Sequence, residues 1–189
     1  MKKLLIIFSF ILIVLNIQAQ EVAFNENGAL ELKQVVIVEN ATKDAIFTNV
    51  RSIISDALPI SNNSESAIDY SDIGSGVIIA KGLFYLGDAK GNFGCKWHIY
   101  DNYTMTVKVK DGKYQISIKV PSITLVYSGD KTKTTVNTKQ IYPEYDGSKL
   151  PPYVKVKQAV IEYGPKIPDS MRILAKNLNE KISKVEDDF

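Results

Sequence analysis

From Tyr103 to Val120 apolar and polar residues alternate without a break (YTMTVKVKDGKYQISIKV), and the pattern folds back on itself at Asp111-Gly112. Alternation with period 2 marks a strand with one buried and one solvated face. Asp-Gly between two such runs predicts a hairpin with a two-residue type I′ turn, which needs positive φ at both positions. Lys110 then opposes Lys113, and Val109, Val107, Met105 and Tyr103 oppose Tyr114, Ile116, Ile118 and Val120. A slip of one residue would turn one strand's apolar set to water, so the register is well specified.

The flanking segments extend this sheet. Leu30–Val38 begins by alternating and ends β-branched, as a strand entering a sheet does. From Thr42 to Leu58 the residues Ile46, Phe47, Val50, Ile53, Ile54 and Leu58 repeat at helical spacing, with Thr42 or Asn40 as cap and Pro59 as stop. Short strands follow at Ala67–Ser71 and Val77–Leu86, separated by the turn Asp72–Gly76. Gly87–Gly94 reads as a glycine-rich loop, and Lys96–Tyr100 leads into the central hairpin with Asp101-Asn102 as a kink or bulge. Pro121 removes a ladder donor, which predicts an edge position or a bulge before Ile123–Tyr127. Ser128–Thr138 is polar, and Ile141–Pro152 holds three prolines. Tyr153–Tyr163 is compatible with one more short strand. A last helix starts at Pro168 with the stripe Met171, Leu174, Ala175, Leu178 and Ile182. The order β-α-β-β-β-β-α predicts an α+β domain: a mainly antiparallel sheet of about five strands with two helices packed on one face. The domain would run from 20 to 189, with its core at 27–127, an irregular proline-rich connector at 128–167 and the C-terminal helix at 168–185.

The N-terminus changes the picture of where the domain works. Lys2 and Lys3 precede the apolar run Leu4–Leu15, broken only by Ser9, and Ala19 offers a small residue for cleavage. This is the pattern of a signal peptide over 1–19, too short for a bilayer span. The expected setting is therefore exported: periplasm, outer-envelope surface or secreted. Removing Lys2 and Lys3 from the 23 basic residues leaves 21 against 21 acidic ones. A neutral mature chain gives no global field for nucleic acid or an anionic membrane. Cys95 is the single cysteine, so no intrachain disulfide can form.

Several of these pieces, in this order, carry a family resemblance. They are the strand after Asn27-Gly28, the Thr42-led helix, Ile79-Ala80-Lys81-Gly82, and the hairpin Val109-Lys110-Asp111-Gly112-Lys113-Tyr114. The chain resembles exported bacterial proteins described as a domain of unknown function with a TATA-binding-protein-like (TBP-like) fold, over about residues 27–120. It departs from that pattern at Gln115, where arginine is expected, and in lacking a tryptophan in the first helix. The resemblance implies a fold and a secretory setting, and no catalytic residues.

Candidate chemistry is sparse. Cys95, His98 and Asp101 are metal-capable types three residues apart, but strand alternation sets His98 opposite the other two, and no CxxC or HExxH accompanies them. A Cys95–His98 nucleophile pair lacks an orienting third group. Gly74-Ser75-Gly76 precedes a strand rather than the helix a phosphate loop needs. The polar face of the central hairpin carries Thr104, Thr106, Lys108, Lys110, Gln115, Ser117 and Lys119, with no aromatic wedge of the kind DNA readers of this shape insert, and reads as solvated sheet. Phe84, Tyr85, Phe93, Trp97, Tyr100 and Tyr103 gather around the glycine-rich loop, and an exposed subset would make a carbohydrate or peptide platform. Tyr142, Tyr145 and Tyr153 are candidates for the same surface. The expectation is a non-enzymatic exported binding or interaction module for a protein, peptide or glycan partner, with no catalytic, cofactor-binding or metal residues, no nucleic acid and no membrane span after signal cleavage. One alternative is a hydrolase using loop carboxylates among Asp69, Asp72, Asp88 and Asp101. Another is a structural subunit of an envelope assembly, pairing through the Ile123–Tyr127 edge.

Overall fold

The computed structural model describes residues 21–57, 67–90, 96–140 and 161–185. Their strands are β1 (Val22–Phe24), β2 (Leu30–Ile37), β3 (Ile68–Asp72), β4 (Val77–Lys90), β5 (Lys96–Lys110), β6 (Lys113–Tyr127) and β7 (Lys133–Asn137). The helices are α1 (Lys43–Ala57) and α2 (Ile167–Val185). All strand pairs are antiparallel, in the order β1-β2-β6-β5-β4-β3, with β7 also on β6. β2 takes the first half of β6 and β7 the second half.

The fold is α+β, with seven strands among the described residues rather than about five. The two additions are short: β1 (VAF) has three residues, too few to show a period, and β7 has little apolar signal. β7 (KTTVN) buries one apolar side chain, Val136, opposite Ile123. It also occupies the Ile123–Val126 edge that an envelope assembly would have used. β4 runs on to Lys90, through residues expected to be loop. Residues 161–163, expected at the end of a strand, are helical. The N-terminal segment, Phe93, Cys95 and Tyr142–Tyr153 lie outside the described residues.

The β5–β6 register is the one the alternation specifies, from Lys110↔Lys113 through Thr104↔Lys119. It then shifts so that Asn102 opposes Ser122, leaving Val120 and Pro121 to share the position opposite Tyr103. Pro121 therefore sits in a bulge, where its missing N–H breaks no regular ladder. The bulge also switches β6 parity: Tyr114, Ile116, Ile118 and Val120 point inward before it, Ile123 and Leu125 after it. The inner face is closed by the buried stripes of both helices, Ile46, Phe47, Val50, Ile53 and Ile54 from α1 and Met171, Leu174, Ala175, Leu178 and Ile182 from α2. No helix among the described residues is long and apolar enough to cross a membrane.

The hairpin tip is not a type I′ turn. Gly112 has φ +70, whereas Asp111 is not among the described non-glycine residues with positive φ. The tip is shaped by docking onto the β2–α1 connection. The Lys43 amide at the start of α1 donates to Asp111 Oδ1 (2.7 Å), the Gly112 amide to the Ala41 carbonyl (2.9 Å), and the Val38 amide to the Gly112 carbonyl (2.9 Å). Thr42 supplies the ordinary cap, accepting from the Ala45 amide. Gly112→Val is expected to cost about 1–3 kcal/mol, because a β-branched residue is strained at this φ. Urea unfolding of the variant checks it, and an unchanged midpoint would remove this role for the tip.

Candidate functional site

The far end of the β4–β5 ladder brings Tyr85, Asp88, His98 and Tyr100 together. In β5, His98 and Tyr100 are two residues apart and share the outer face. In β4, Tyr85 and Asp88 are three apart, which in a regular strand would put them on opposite faces. The register shifts between Tyr85 and Gly87, leaving Leu86 as the extra residue. The bulge brings Tyr85 opposite Tyr100 and Asp88 opposite His98, all on the face away from the helices. The Tyr85 and Tyr100 rings lie 5.5 Å apart at 55°, and Tyr85 and His98 6.5 Å apart. Tyr85 is 49% exposed.

His98 Nδ1 and Asp88 Oδ1 are 2.6 Å apart. Asp88 also accepts from the Tyr85 hydroxyl, and these two bonds, Tyr85 first and His98 second, hold its carboxyl below the usual range. The same contact pushes the Tyr85 phenol up to about 12. Behind the ladder, Gly87 (φ +148) lets the Tyr163 ring press onto the backbone where a Cβ would stand 2.4 Å from Tyr163 Cε1, and the Tyr163 hydroxyl donates to the Asp88 carbonyl (2.7 Å). Asp88 is thus fixed from both faces of the sheet.

Further along the outer face, Asn102 Nδ2 donates to Ser122 Oγ (2.8 Å) and Thr124 Oγ1 (2.9 Å), and Thr124 meets Thr135 at 3.2 Å. Toward the hairpin tip, Ser117 Oγ donates to Glu31 Oε1 (2.7 Å), with Lys33 at 3.4 Å and Lys119 at 3.8 Å. Burial alone would raise the Glu31 carboxyl, but Ser117, Lys119 and Lys33 together hold it below its ordinary value.

Polar side chains are buried on the inner face too: Gln34 accepts from Asn179 Nδ2 of α2 at 3.1 Å, and Asp101 is a carboxyl. Asp101 is fully buried beneath the first turn of α2, with Oδ2 bonded to Ser170 Oγ. Desolvation pushes its carboxyl up to about 7, against the opposing pull of the Ser170 and Phe84 hydrogen bonds. Ser170 Oγ also contacts the Ile167 carbonyl at 2.8 Å. A hydroxyl has one proton, so when Ser170 donates to Ile167 it is the neutral Asp101 that donates to Ser170. Asp101 Oδ1 and the neighbouring Tyr103 hydroxyl have no hydrogen-bond partner among the described residues.

The residues singled out from sequence therefore separate. His98 is outward and Asp101 inward, so they share no metal, and no group of three metal-capable side chains forms among the described residues. Asp69 pairs with Lys81 (2.8 Å), and Asp72 accepts from the Gly74 and Ser75 amides in its own turn. Asp88 and Asp101 lie on opposite faces and cannot flank one substrate. Of the aromatic group, Phe84 and Trp97 pack against the core and Tyr103 is buried, which leaves Tyr85 and Tyr100. The Asp88–His98 pair and the Glu31 cluster were not legible in the sequence, because each depends on strand register.

The family described as a domain of unknown function (DUF4468) with TBP-like fold matches residues 33–124. The chain is similar in structure to a TBP-like protein from Parabacteroides distasonis ATCC 8503, at 17% identity and a TM-score of 0.57, over 86% of this chain and 97% of that one. It is also similar to a DUF4468 family protein from Bacteroides ovatus ATCC 8483, at 14% identity and a TM-score of 0.51, over 80% and 88%. No curated protein matches it. At these identities the structural likeness concerns the fold.

Proposed function

We propose that this chain, a member of the DUF4468 family with TBP-like fold through residues 33–124, is a non-enzymatic, exported binding module of the bacterial envelope. Its ligand site is the Tyr85–Tyr100–His98–Asp88 end of the outer sheet face. The observation that carries this reading is the Leu86 bulge, which brings two aromatic rings and a fixed Asp–His pair to one exposed surface. Tilted aromatic rings beside a carboxylate and an imidazole offer stacking faces together with hydroxyl acceptors and donors. That combination suits a glycan. A peptide adding to the sheet needs a free strand edge, whereas this cluster lies on a face.

Glycan-array binding of residues 20–189, followed by titration calorimetry on the best hit, tests the reading. Tyr85→Ala and Tyr100→Ala are each expected to weaken binding about tenfold, as truncation of an aromatic anchor does. Their melting temperatures should stay near that of the parent protein, because these rings lie outside the core. Binding that survives both substitutions would exclude this site.

A further inference from the structure

We infer that the outer face of the sheet binds an acidic polysaccharide, with the polymer lying along the strands from the Tyr85–Tyr100 end toward the hairpin tip. This deepens the glycan reading above and rests on it. The mature chain is close to neutral, yet its lysines are not evenly spread. Lys33, Lys81, Lys108, Lys110, Lys113 and Lys119 all point outward in the half of the sheet near the tip. Lys90, Lys96 and Lys133 share that face at the other end. Against them the same face sets Glu31, Asp69, Asp72 and Asp88, and none of its ion pairs reaches Lys108. The outer face is therefore strongly positive on a neutral protein, and strands that are far apart in sequence are what assemble it.

Glu31 shows what this surface does to a carboxylate. Its side chain is only 10% exposed, yet Ser117, Lys119 and Lys33 hold it charged. The depression around it, about 220 Å³, is lined by Lys33, Lys108, Lys119, Thr106, Gln115 and Ser117. That is smaller than the ~300–1,000 Å³ of an enclosing small-molecule pocket, which favours an open contact with a polymer. From His98 to Lys108 the strand spans about 33 Å at its usual rise per residue, a length no single sugar covers. Between the lysines stand hydroxyl and amide side chains (Thr106, Gln115, Ser117, Asn102), which match sugar hydroxyls. Val35 and Ile37 on β2 and Tyr70 on β3 are exposed on this face, but they flank the lysines from its two sides rather than forming the continuous apolar crest a membrane calls for, and duplex DNA would call for an intercalating wedge.

The test uses residues 20–189 and polygalacturonate, with dextran as the neutral polymer, at about 50 and about 300 mM NaCl. Polygalacturonate should bind and dextran should not, with affinity falling about tenfold across that salt range as exposed charges are screened. Lys108→Glu combined with Lys119→Gln should weaken binding about tenfold. Glu31→Gln should strengthen it severalfold, because it frees Lys33 and Lys119 for the ligand. A merely structural role for Glu31 would not raise affinity. Circular dichroism and melting temperature confirm that the variants are folded. Equal binding of dextran, or lysine and Glu31 variants that leave affinity unchanged, overturns the inference. If affinity then still depends on Tyr85 and Tyr100, the glycan site stands without the acidic class; if it does not, both fall. Tighter lysine-dependent binding to phosphatidylglycerol vesicles or duplex DNA would replace the polysaccharide as occupant.

Discussion

Gly82→Ala is expected to destabilise the protein by about 3 kcal/mol, the upper range for overpacking a well-filled core. A Cβ at Gly82 would stand 2.4 Å from the Tyr103 hydroxyl oxygen and 2.6 Å from Cζ. Gly82 is paired with Tyr103 across β4 and β5, and the ring lies over the bare backbone at 2% exposure. The ring is rigid and buried, so relief requires β4 and β5 to separate or the ring to leave its rotamer. For a chain of this size the loss corresponds to a fall in Tm of about 6–12 °C. Two companion variants separate this clash from a general sensitivity of β4. Tyr103→Phe removes a buried hydroxyl without a partner among the described residues and should be neutral or slightly stabilising. Gly82→Ala combined with Tyr103→Leu should cost less than the sum of the two single changes by about 1 kcal/mol or more, since the second substitution removes what the first collides with. Calorimetric melting of the four proteins measures this cycle, and strict additivity would rule out the proposed contact.

The same pair shows how far the sequence could be read. The alternation from Tyr103 to Val120 specified faces and register because every pair obeyed one rule, and Pro121 announced its bulge by lacking a donor. The helical stripes of α1 and α2 were equally plain, since period 3.6 over four turns has no strand alternative. What stayed hidden was polar. β7 shows a single buried apolar residue, and the end of β4 (GDAK) resembles a turn in composition although it is paired along its length. A strand with a weak pattern is recruited by its neighbour's unpaired backbone, which no local window records. The Asp88–His98 pair is likewise set by the β4–β5 register and the Leu86 bulge. The alternation places Lys108, Lys110 and Lys119 on one polar face that reads as solvated sheet, but Lys33 and Lys81 join them only once four strands are aligned, and the net charge of the mature chain reads as zero. One signal was available and not used: Asp101 falls on the odd, inward positions of β5 with Ile99, Tyr103, Met105, Val107 and Val109, so the alternation itself marked a buried carboxyl.

That carboxyl makes the stability of the protein depend on pH in a direction opposite to most aspartates. Burial pushes the folded Asp101 carboxyl up to about 7, from about 3.9 for an aspartate in water. Below about pH 4 it is neutral in both states and contributes no difference. As pH rises from about 4 to 7 the unfolded chain releases this proton while the folded chain retains it, so stability falls through that window. The fall approaches about 4 kcal/mol if the shift is fully expressed, at 1.36 kcal/mol per pKa unit. The N-terminus of α2 works the other way, favouring the ionised form by about 0.3–2 kcal/mol, so the observed change should be smaller. Asp101→Asn cannot ionise and serves as the reference. Urea unfolding of both proteins between pH 4 and 8 should show the parent losing stability relative to Asp101→Asn as pH rises, with the difference flattening above about pH 8. A difference that is flat throughout would mean desolvation and the α2 N-terminus cancel. One that grows in the parent's favour with rising pH would mean that the helix end and Ser170 outweigh burial and that Asp101 is held as a carboxylate. The geometry argues for the neutral form: Ser170 has one proton, its Oγ lies 2.8 Å from the Ile167 carbonyl, and a proton used there leaves Asp101 as the donor.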